Sequence, residues 1–272
     1  MTQKENYNSD NYIDTIDSKI EELEAEIEHL KKENELKTGW ISLLSHNFKE
    51  AFLSFNMLLE SFEDSTLNEN EFFALLPRVK QDCQKNIKVI NDTTTWIKTQ
   101  KDGFKPQWVD LCGLDLYFLL KDEFQEILER KKLIFSFKGD VTSNIITDRI
   151  LISFILRSIM DNAIKFSNLG TTILFEVTTT QDLITLSIQD QGIGMDEKQI
   201  ETLFSFDSAL YIGTQGEIGS GLSLKIVKNF VSLVHGNMEI ESSEGNGTRI
   251  SIILSNLKDK KHASGFSHFG SR

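Results

Sequence analysis

Proline and cysteine are nearly missing from this chain of 272 residues, which holds 2 of each. Scarce proline removes the strongest helix breaker, so long uninterrupted helices are expected over part of the chain. Cys83 and Cys112 are too few and too far apart for a disulfide framework or a cysteine zinc site; they read as reduced thiols of a cytoplasmic protein. Basic residues are also short, with 29 Lys and Arg against 41 Asp and Glu and a formal net charge of -12. That excludes nucleic acid as a main partner, because neutralising a phosphate backbone needs a cationic face. It leaves room for a small anionic ligand in a local pocket. Long apolar runs are lacking too. The best, LISFILRSIM at residues 151–160, is too short to span a bilayer and contains Arg157. No secretory signal is expected and no membrane contact by this chain itself.

What is present begins with heptads. After a polar stretch over residues 1–10, expected to be disordered, Ile13, Ile20, Ile27 and Asn34 take a positions, and Ile16, Leu23 and Leu30 take d positions. Ile at a with mostly Leu at d favours a parallel two-stranded coiled coil, and a single Asn at a fixes its register. Residues 11–39 are therefore expected to form a signal-carrying coil. The same register continues to Ile41 and Phe48, so the coil runs in phase into residues 41–62, ISLLSHNFKEAFLSFNMLLESF. There Ile41, Leu44, Phe48, Ala51, Phe55 and Leu58 form the seam. His46 falls at f, away from it, where an imidazole keeps a nitrogen available as a nucleophile.

A turn-like EDSTLNEN follows, with Thr66 or Asn68 as candidate caps of a second helix reaching about Lys101. Pro77 is expected to kink that helix or mark a late start. Two such hairpins from two chains make a dimeric four-helix bundle, so residues 40–103 read as a dimerisation hairpin in a homodimer. Asp102 to Pro106, DGFKP, is a breaker cluster and the expected boundary.

From residue 104 to 256 the pattern becomes α+β. Helices are expected over 114–130, 148–167 and 221–234, and strands over 133–138, 171–180 and 183–190. A closing hairpin is expected around Glu244-Gly245-Asn246-Gly247. His235, before Gly236, suits a helix C-terminus better than catalysis. Residues 257–272 read as a flexible tail.

Three stretches here share one logic. In Asp161-Asn162-Ala163-Ile164-Lys165-Phe166, Asn162 offers a carbonyl oxygen to a hard cation, and Lys165, on the same helix face, a charge to a phosphate. Asp190-Gln191-Gly192-Ile193-Gly194-Met195 follows a strand; its Asp can accept from an exocyclic amine, and Gly192 and Gly194 allow close backbone approach. Gly216 to Leu222 opens a helix, where exposed N–H groups and the dipole favour an anion. Each string is common alone. Together, on helix, strand end and helix start, they specify a nucleotide site.

These residues give the chain its resemblance to the cytoplasmic core of bacterial sensor histidine kinases, within the ATPase superfamily shared with heat-shock chaperones, mismatch-repair ATPases and type II topoisomerases. The resemblance implies a coiled coil and four-helix bundle followed by an α/β-sandwich Bergerat-type ATP-binding domain. Asn162 resembles the magnesium-binding asparagine of the N box and Lys165 its phosphate lysine. Asp190, Gly192 and Gly194 resemble the first glycine box, with Asp190 on the adenine amine. Phe204 and Phe206 resemble the F box, and Gly219, Gly221 and Leu222 the second glycine box. Gly247 and Thr248 resemble the late Gly-Thr element, His46 the phosphoacceptor, and Lys49 the basic residue after it. The implied cofactors are ATP and Mg2+, and the implied activity is autophosphorylation of His46 at Nε2, then transfer to an aspartate of a response-regulator receiver domain. Input would come from an upstream sensor domain or protein.

The chain departs from that pattern in its H box. Asn47 stands where the family has an acid that accepts the histidine proton, and Ala51 where it has proline. Glu50, one helical turn after His46, is the candidate substitute base. Ser158 replaces the earlier N-box asparagine. These departures motivate an alternative from another class, a degenerate kinase acting as a nucleotide-binding dimeric scaffold or phosphorelay partner. An ATP-driven clamp is disfavoured, since those relatives lack a histidine helix fed by a coiled coil.

Overall fold

The computed structural model describes residues 3–64, 66, 68–101, 103–139, 144–205, 211–217 and 221–256. Phe206, Gly219 and the expected tail at 257–272 lie outside the described residues, and so do the side chains of His46, Asn47, Glu50 and Ala51 within their helix. By compactness the chain divides into residues 1–87 and 88–272.

In the first unit lie α1 (Gln3–Glu63) and the start of α2 (Glu69–Thr99). The α1 helix begins ahead of the boundary expected at residue 10 and passes Gly39 without a break. Helix α2 starts at Glu69 and runs through Pro77, so the proline marks no late start. Asn68 caps it: the Glu71 N–H donates to Asn68 Oδ1 at 3.0 Å while the Asn68 N–H donates to Glu71 Oε2 at 2.9 Å. The Thr66 hydroxyl, the other candidate cap, donates instead to the Ser61 carbonyl at 2.7 Å, near the end of α1. Phe62 and Phe72 meet across the turn with ring centroids 4.5 Å apart. The heptad residues Ile16, Ile20, Leu23, Ile27 and Leu30 are each about half exposed.

The second unit begins inside α2, upstream of the expected boundary at 102–106. The reason is local. Lys88 pairs with Asp161 at 2.5 Å, the Gln100 amide donates to Asn229 Oδ1 at 3.3 Å, and Val89 and Trp96 are buried. Next come β1 (Trp108–Cys112), α3 (Gly113–Arg130), β2 (Ile134–Gly139) and β3 (Asn144–Asp148). They are followed by α4 (Arg149–Phe166), β4 (Thr172–Thr179), β5 (Leu183–Gln189) and α5 (Glu197–Thr202). The last three elements are α6 (Ser223–Leu233), β6 (Asn237–Ser242) and β7 (Thr248–Ser255). Strands β1 and β3 pair antiparallel by themselves; the main sheet has the order β2-β4-β5-β7-β6, with β2 and β4 parallel and the rest antiparallel.

Alternation on this sheet decides where the core lies. Ile173, Phe175 and Val177 of β4, Ile184, Leu186 and Ile188 of β5, and Ile250, Ile252 and Leu254 of β7 are all buried. The register aligns Phe175 with Ile188 and Ile188 with Ile250, and likewise Val177 with Leu186 and Leu186 with Ile252. One face is thus continuously apolar, as a period of two requires. It is matched by the buried residues of α4 (Ile152, Ile155, Leu156, Ile159), α6 (Ile226, Val227, Phe230) and α3 (Leu116, Leu120). Phe154 and Phe230 join α4 to α6 at 5.0 Å. Helix α6 ends as expected: His235 adopts φ 53° and its N–H donates to the Ser232 carbonyl.

Candidate nucleotide site

The candidate site is built around the last turn of α4. Asp148 starts that helix by accepting from the N–H groups of Ile150 and Leu151 at 2.8 and 3.0 Å, and its other oxygen accepts from the Gln107 N–H at 2.7 Å. With its apolar face fixed, α4 carries Asn162 and Lys165 on half-buried positions near its end. The Asn162 amide makes no hydrogen bond to any described residue. A half-buried amide of this kind has oxygen and nitrogen available to a ligand, which fits a hard cation or a phosphate. Among the described residues no cluster of three His, Cys, Asp or Glu could hold a metal, so a cation here would depend on Asn162 and on oxygens of the nucleotide.

Asp190 ends β5 as a buried carboxyl, 6% exposed. Its Oδ1 accepts from the N–H groups of Gly192 at 2.8 Å and Thr248 at 3.2 Å, and its own N–H donates to the Thr248 carbonyl at 2.9 Å. Both bonds use Oδ1, which leaves Oδ2 to receive a donor such as an exocyclic amine. Burial pushes the Asp190 carboxyl up to about 6, against the lowering effect of those N–H groups.

The glycines serve protein packing as well as access. A Cβ on Gly192 would strike the Phe166 carbonyl, and one on Gly194, at φ 66°, would strike the Ser243 carbonyl. Ile193 bridges the two sides: its N–H donates to the Phe166 carbonyl at 3.2 Å and its carbonyl accepts from Gly245 at 2.7 Å. The loop 190–194 is therefore wedged between the end of α4 and the β6–β7 turn. Thr248 completes the join through its hydroxyl, 2.8 Å from Ser242 Oγ.

The remaining residues divide. Gly221, at φ 69°, precedes α6, and Leu222 is its N-cap. The Leu222 side chain is 1% exposed, so only its backbone can face a ligand. Phe204 lies beneath Lys228 of α6, with the ammonium 4.6 Å from the ring. Lys165 Nζ lies 4.7 Å from the Phe166 ring. Near both α4 and α6 is Asp92, pushed up to about 6 by burial first, then lowered by Lys88, raised by Asp161 and lowered by a Ser223 hydrogen bond. Sequence reasoning named Asp161 but not Ser223, nor Lys88 and Asp92 of α2 that reach these two. It also missed Lys131 and Thr214, and gave no role to Glu217 within the Gly216–Leu222 stretch; these three residues are linked at the end of α4.

The family described as histidine kinase-, DNA gyrase B-, and HSP90-like ATPase matches residues 147–258, the segment that holds these elements. The chain is similar to the sensor histidine kinase YclK of Bacillus subtilis, 26% identical over 242 residues, covering 87% of this chain and 50% of that protein. It is similar also to YvrG of the same organism, 28% identical over 89% of this chain and 42% of that protein. A third relative is the autoinducer 2 sensor kinase/phosphatase LuxQ of Vibrio harveyi, 25% identical over 85% of this chain and 28% of that protein. The chain spans half the length or less of these curated relatives. Among solved structures, the Acinetobacter baumannii histidine kinase AdeS aligns with TM-score 0.63 at 17% identity, over 77% of this chain and 97% of that one. That likeness shows a shared fold, with a Bergerat-type mixture of helix and sheet. Among the described residues no helix is long and apolar enough to cross a membrane.

Proposed function

We propose that residues 147–258, which match the histidine kinase-, DNA gyrase B-, and HSP90-like ATPase family, form a histidine-kinase catalytic domain, and that this chain is the kinase core of a two-component sensor, acting as a homodimer. ATP is the substrate. Its adenine amine donates to Asp190, and its phosphates meet Lys165 and the N-terminal turn of α6. Asn162 would hold Mg2+, which would supply charge neutralisation to the phosphates. The Nε2 of His46 attacks the γ-phosphorus, a nitrogen–phosphorus bond forms, the bond to the β–γ bridging oxygen breaks, and ADP leaves. Glu50 takes the Nδ1 proton, since the Asn47 amide is not basic. The phosphoryl group then passes to an aspartate of a receiver domain. The protein's part is positioning and charge neutralisation.

The observation that carries this reading is the wedge at Asp190. A buried carboxyl with one oxygen fixed by two backbone N–H groups is an acceptor aimed at a donor, and it adjoins the helix that carries Asn162 and Lys165. The test is incubation with γ-labelled ATP and Mg2+. Acid-labile, alkali-stable label that is lost in His46→Ala supports the kinase; nucleotide binding without label overturns the transfer step.

A second reading is the nucleotide-binding scaffold. Asn47 favours it, and so does Ser158, a buried hydroxyl where an amide ligand stands in the family. Label transfer restored by Asn47→Glu would separate the two readings.

A further inference from the structure

Lys131 is the largest fully buried side chain among the described residues, at 0% exposed. It directly follows α3, and its ammonium reaches the end of α4. There it donates to the carbonyls of Ile164 at 2.7 Å and Lys165 at 3.3 Å, to Thr214 Oγ1 at 2.9 Å and to Glu217 Oε1 at 3.0 Å. Burial works to raise the Glu217 carboxyl, but the Gln215 N–H and the Lys131 ammonium overcome it and hold it below the ordinary carboxylate range. The contact is therefore an ion pair.

The turn 213–217 closes on the same point. The Gly213 N–H donates to the Glu217 carbonyl at 2.7 Å, and the Thr214 N–H to the Lys165 carbonyl at 3.0 Å. The Thr214 hydroxyl donates to the Ser167 carbonyl at 2.7 Å. A Cβ on Gly213 would lie 2.6 Å from Lys165 Cγ and 2.8 Å from its carbonyl, so the turn packs against the stem of Lys165 as well as its backbone. Lys165 is thus held at its carbonyl by two elements distant in sequence, and along its side chain by a third contact.

We propose that Lys131 and Glu217 are positioning residues for phosphate binding, fixing Lys165 so that its ammonium is aimed at the nucleotide phosphates. The inference rests on the reading of this cleft as a nucleotide site. Stability alone does not account for the pair. A buried ion pair is replaceable by apolar side chains of similar volume with little loss, or even a gain, of stability. Such a replacement fills the space but takes the Lys131 donor from the Lys165 carbonyl and the charged anchor from the turn, leaving the Thr214 bonds to hold the two together.

That difference supplies the test. In the full chain with Mg2+, displacement of a fluorescent ADP analogue by ATP, ADP and adenosine is compared between wild type and the Lys131→Met/Glu217→Gln double variant, with thermal melting alongside. Melting near wild type is expected, with adenosine competing as before and ADP and ATP weakened about tenfold, the usual scale for loss of a supporting contact. Adding both changes to Lys165→Met should produce no further loss. Thr214→Val, which keeps the ion pair, should weaken ADP about threefold and adenosine not at all; it carries the test if the double variant does not fold. Equal weakening of adenosine and ADP, or no weakening of ADP, overturns the positioning role. If wild type displaces nothing and binds no analogue, the nucleotide reading itself fails, and this inference with it.

Discussion

Residues 88–256 build a continuous buried apolar core, and the described residues of 3–87 do not. Among the described residues Leu58 is the single fully buried hydrophobic before residue 89. The sheet and its helices, by contrast, bury whole rows, with Ile173, Phe175, Leu186 and Ile252 at 0% exposed. Both regions obey amphipathic patterning, with a period of two on strands and near three and a half on α1. In one, the apolar face is matched within the chain. In the other, half-exposed isoleucines and leucines recur along a helix of 61 residues, and helical stability in proteins comes mostly from packing such an apolar face. The apolar face of that N-terminal region is left for a partner to cover, which is what the proposed homodimer requires.

The strongest way to break that contrast is to empty each side in turn. Phe230→Ala, a fully buried ring packed on Phe154, should cost the catalytic unit about 3–5 kcal/mol in denaturant unfolding. Ile27→Ala on α1 should leave that transition in place. Next, Ile20→Asn with Ile27→Asn should weaken self-association about a hundredfold by analytical ultracentrifugation, roughly 3 kcal/mol, while nucleotide binding is unchanged. If these changes unfold the catalytic unit and leave the oligomer intact, the contrast is wrong.

A smaller effect concerns pH. Asp190 titrates at about 6 in the folded chain because burial opposes its charge. Only the carboxylate accepts an amine proton on Oδ2, so adenine-nucleotide affinity should be full above about pH 7 and fall as pH drops through that value. The raised value means the folded state binds its proton more tightly than the unfolded one. This group therefore relieves strain on acidification, and the loss of binding is not unfolding. Asp190→Asn should bind weakly with a flat profile, read by titration calorimetry across pH. The smallest effect belongs to Glu176, whose carboxyl is lowered by Lys138 first and by Arg249, against burial. Its stabilisation is present above the ordinary glutamate range and is lost as pH falls below it. Glu176→Gln should cost about 1 kcal/mol at neutral pH and less in acid.

Most of the sheet was legible because its strands alternate cleanly; TILFEVTT and RISIIL announce their buried faces. The α4 helix was legible from its apolar density, although the Asp148 cap that starts it was not. Strands β1 and β3 were not, since WVDLC and NIITD are short and exist through pairing with each other. Helix α5 was hidden for a similar reason: its six residues are held by a capping box at Asp196 and Gln199, with none of them buried. The site's strings at 161–166 and 190–195 were visible as motifs, but their joining was not. That Gly192 meets Phe166, or that Lys131 of a Lys-Lys doublet is the buried one, depends on contacts between distant segments that no local pattern encodes. The Thr214 and Glu217 anchors are likewise visible only once α3 and α4 are brought together.

The account depends on His46 receiving phosphate from ATP bound at the proposed site of Asn162 and Asp190. The most direct measurement is mass-resolved or radiolabel detection of phosphohistidine in wild type, His46→Ala and Asp190→Asn proteins given ATP and Mg2+. The account predicts acid-labile label on His46 in wild type, none in His46→Ala, and little in Asp190→Asn. Label that persists in His46→Ala, or wild type that binds ATP and stays unlabelled, would contradict it.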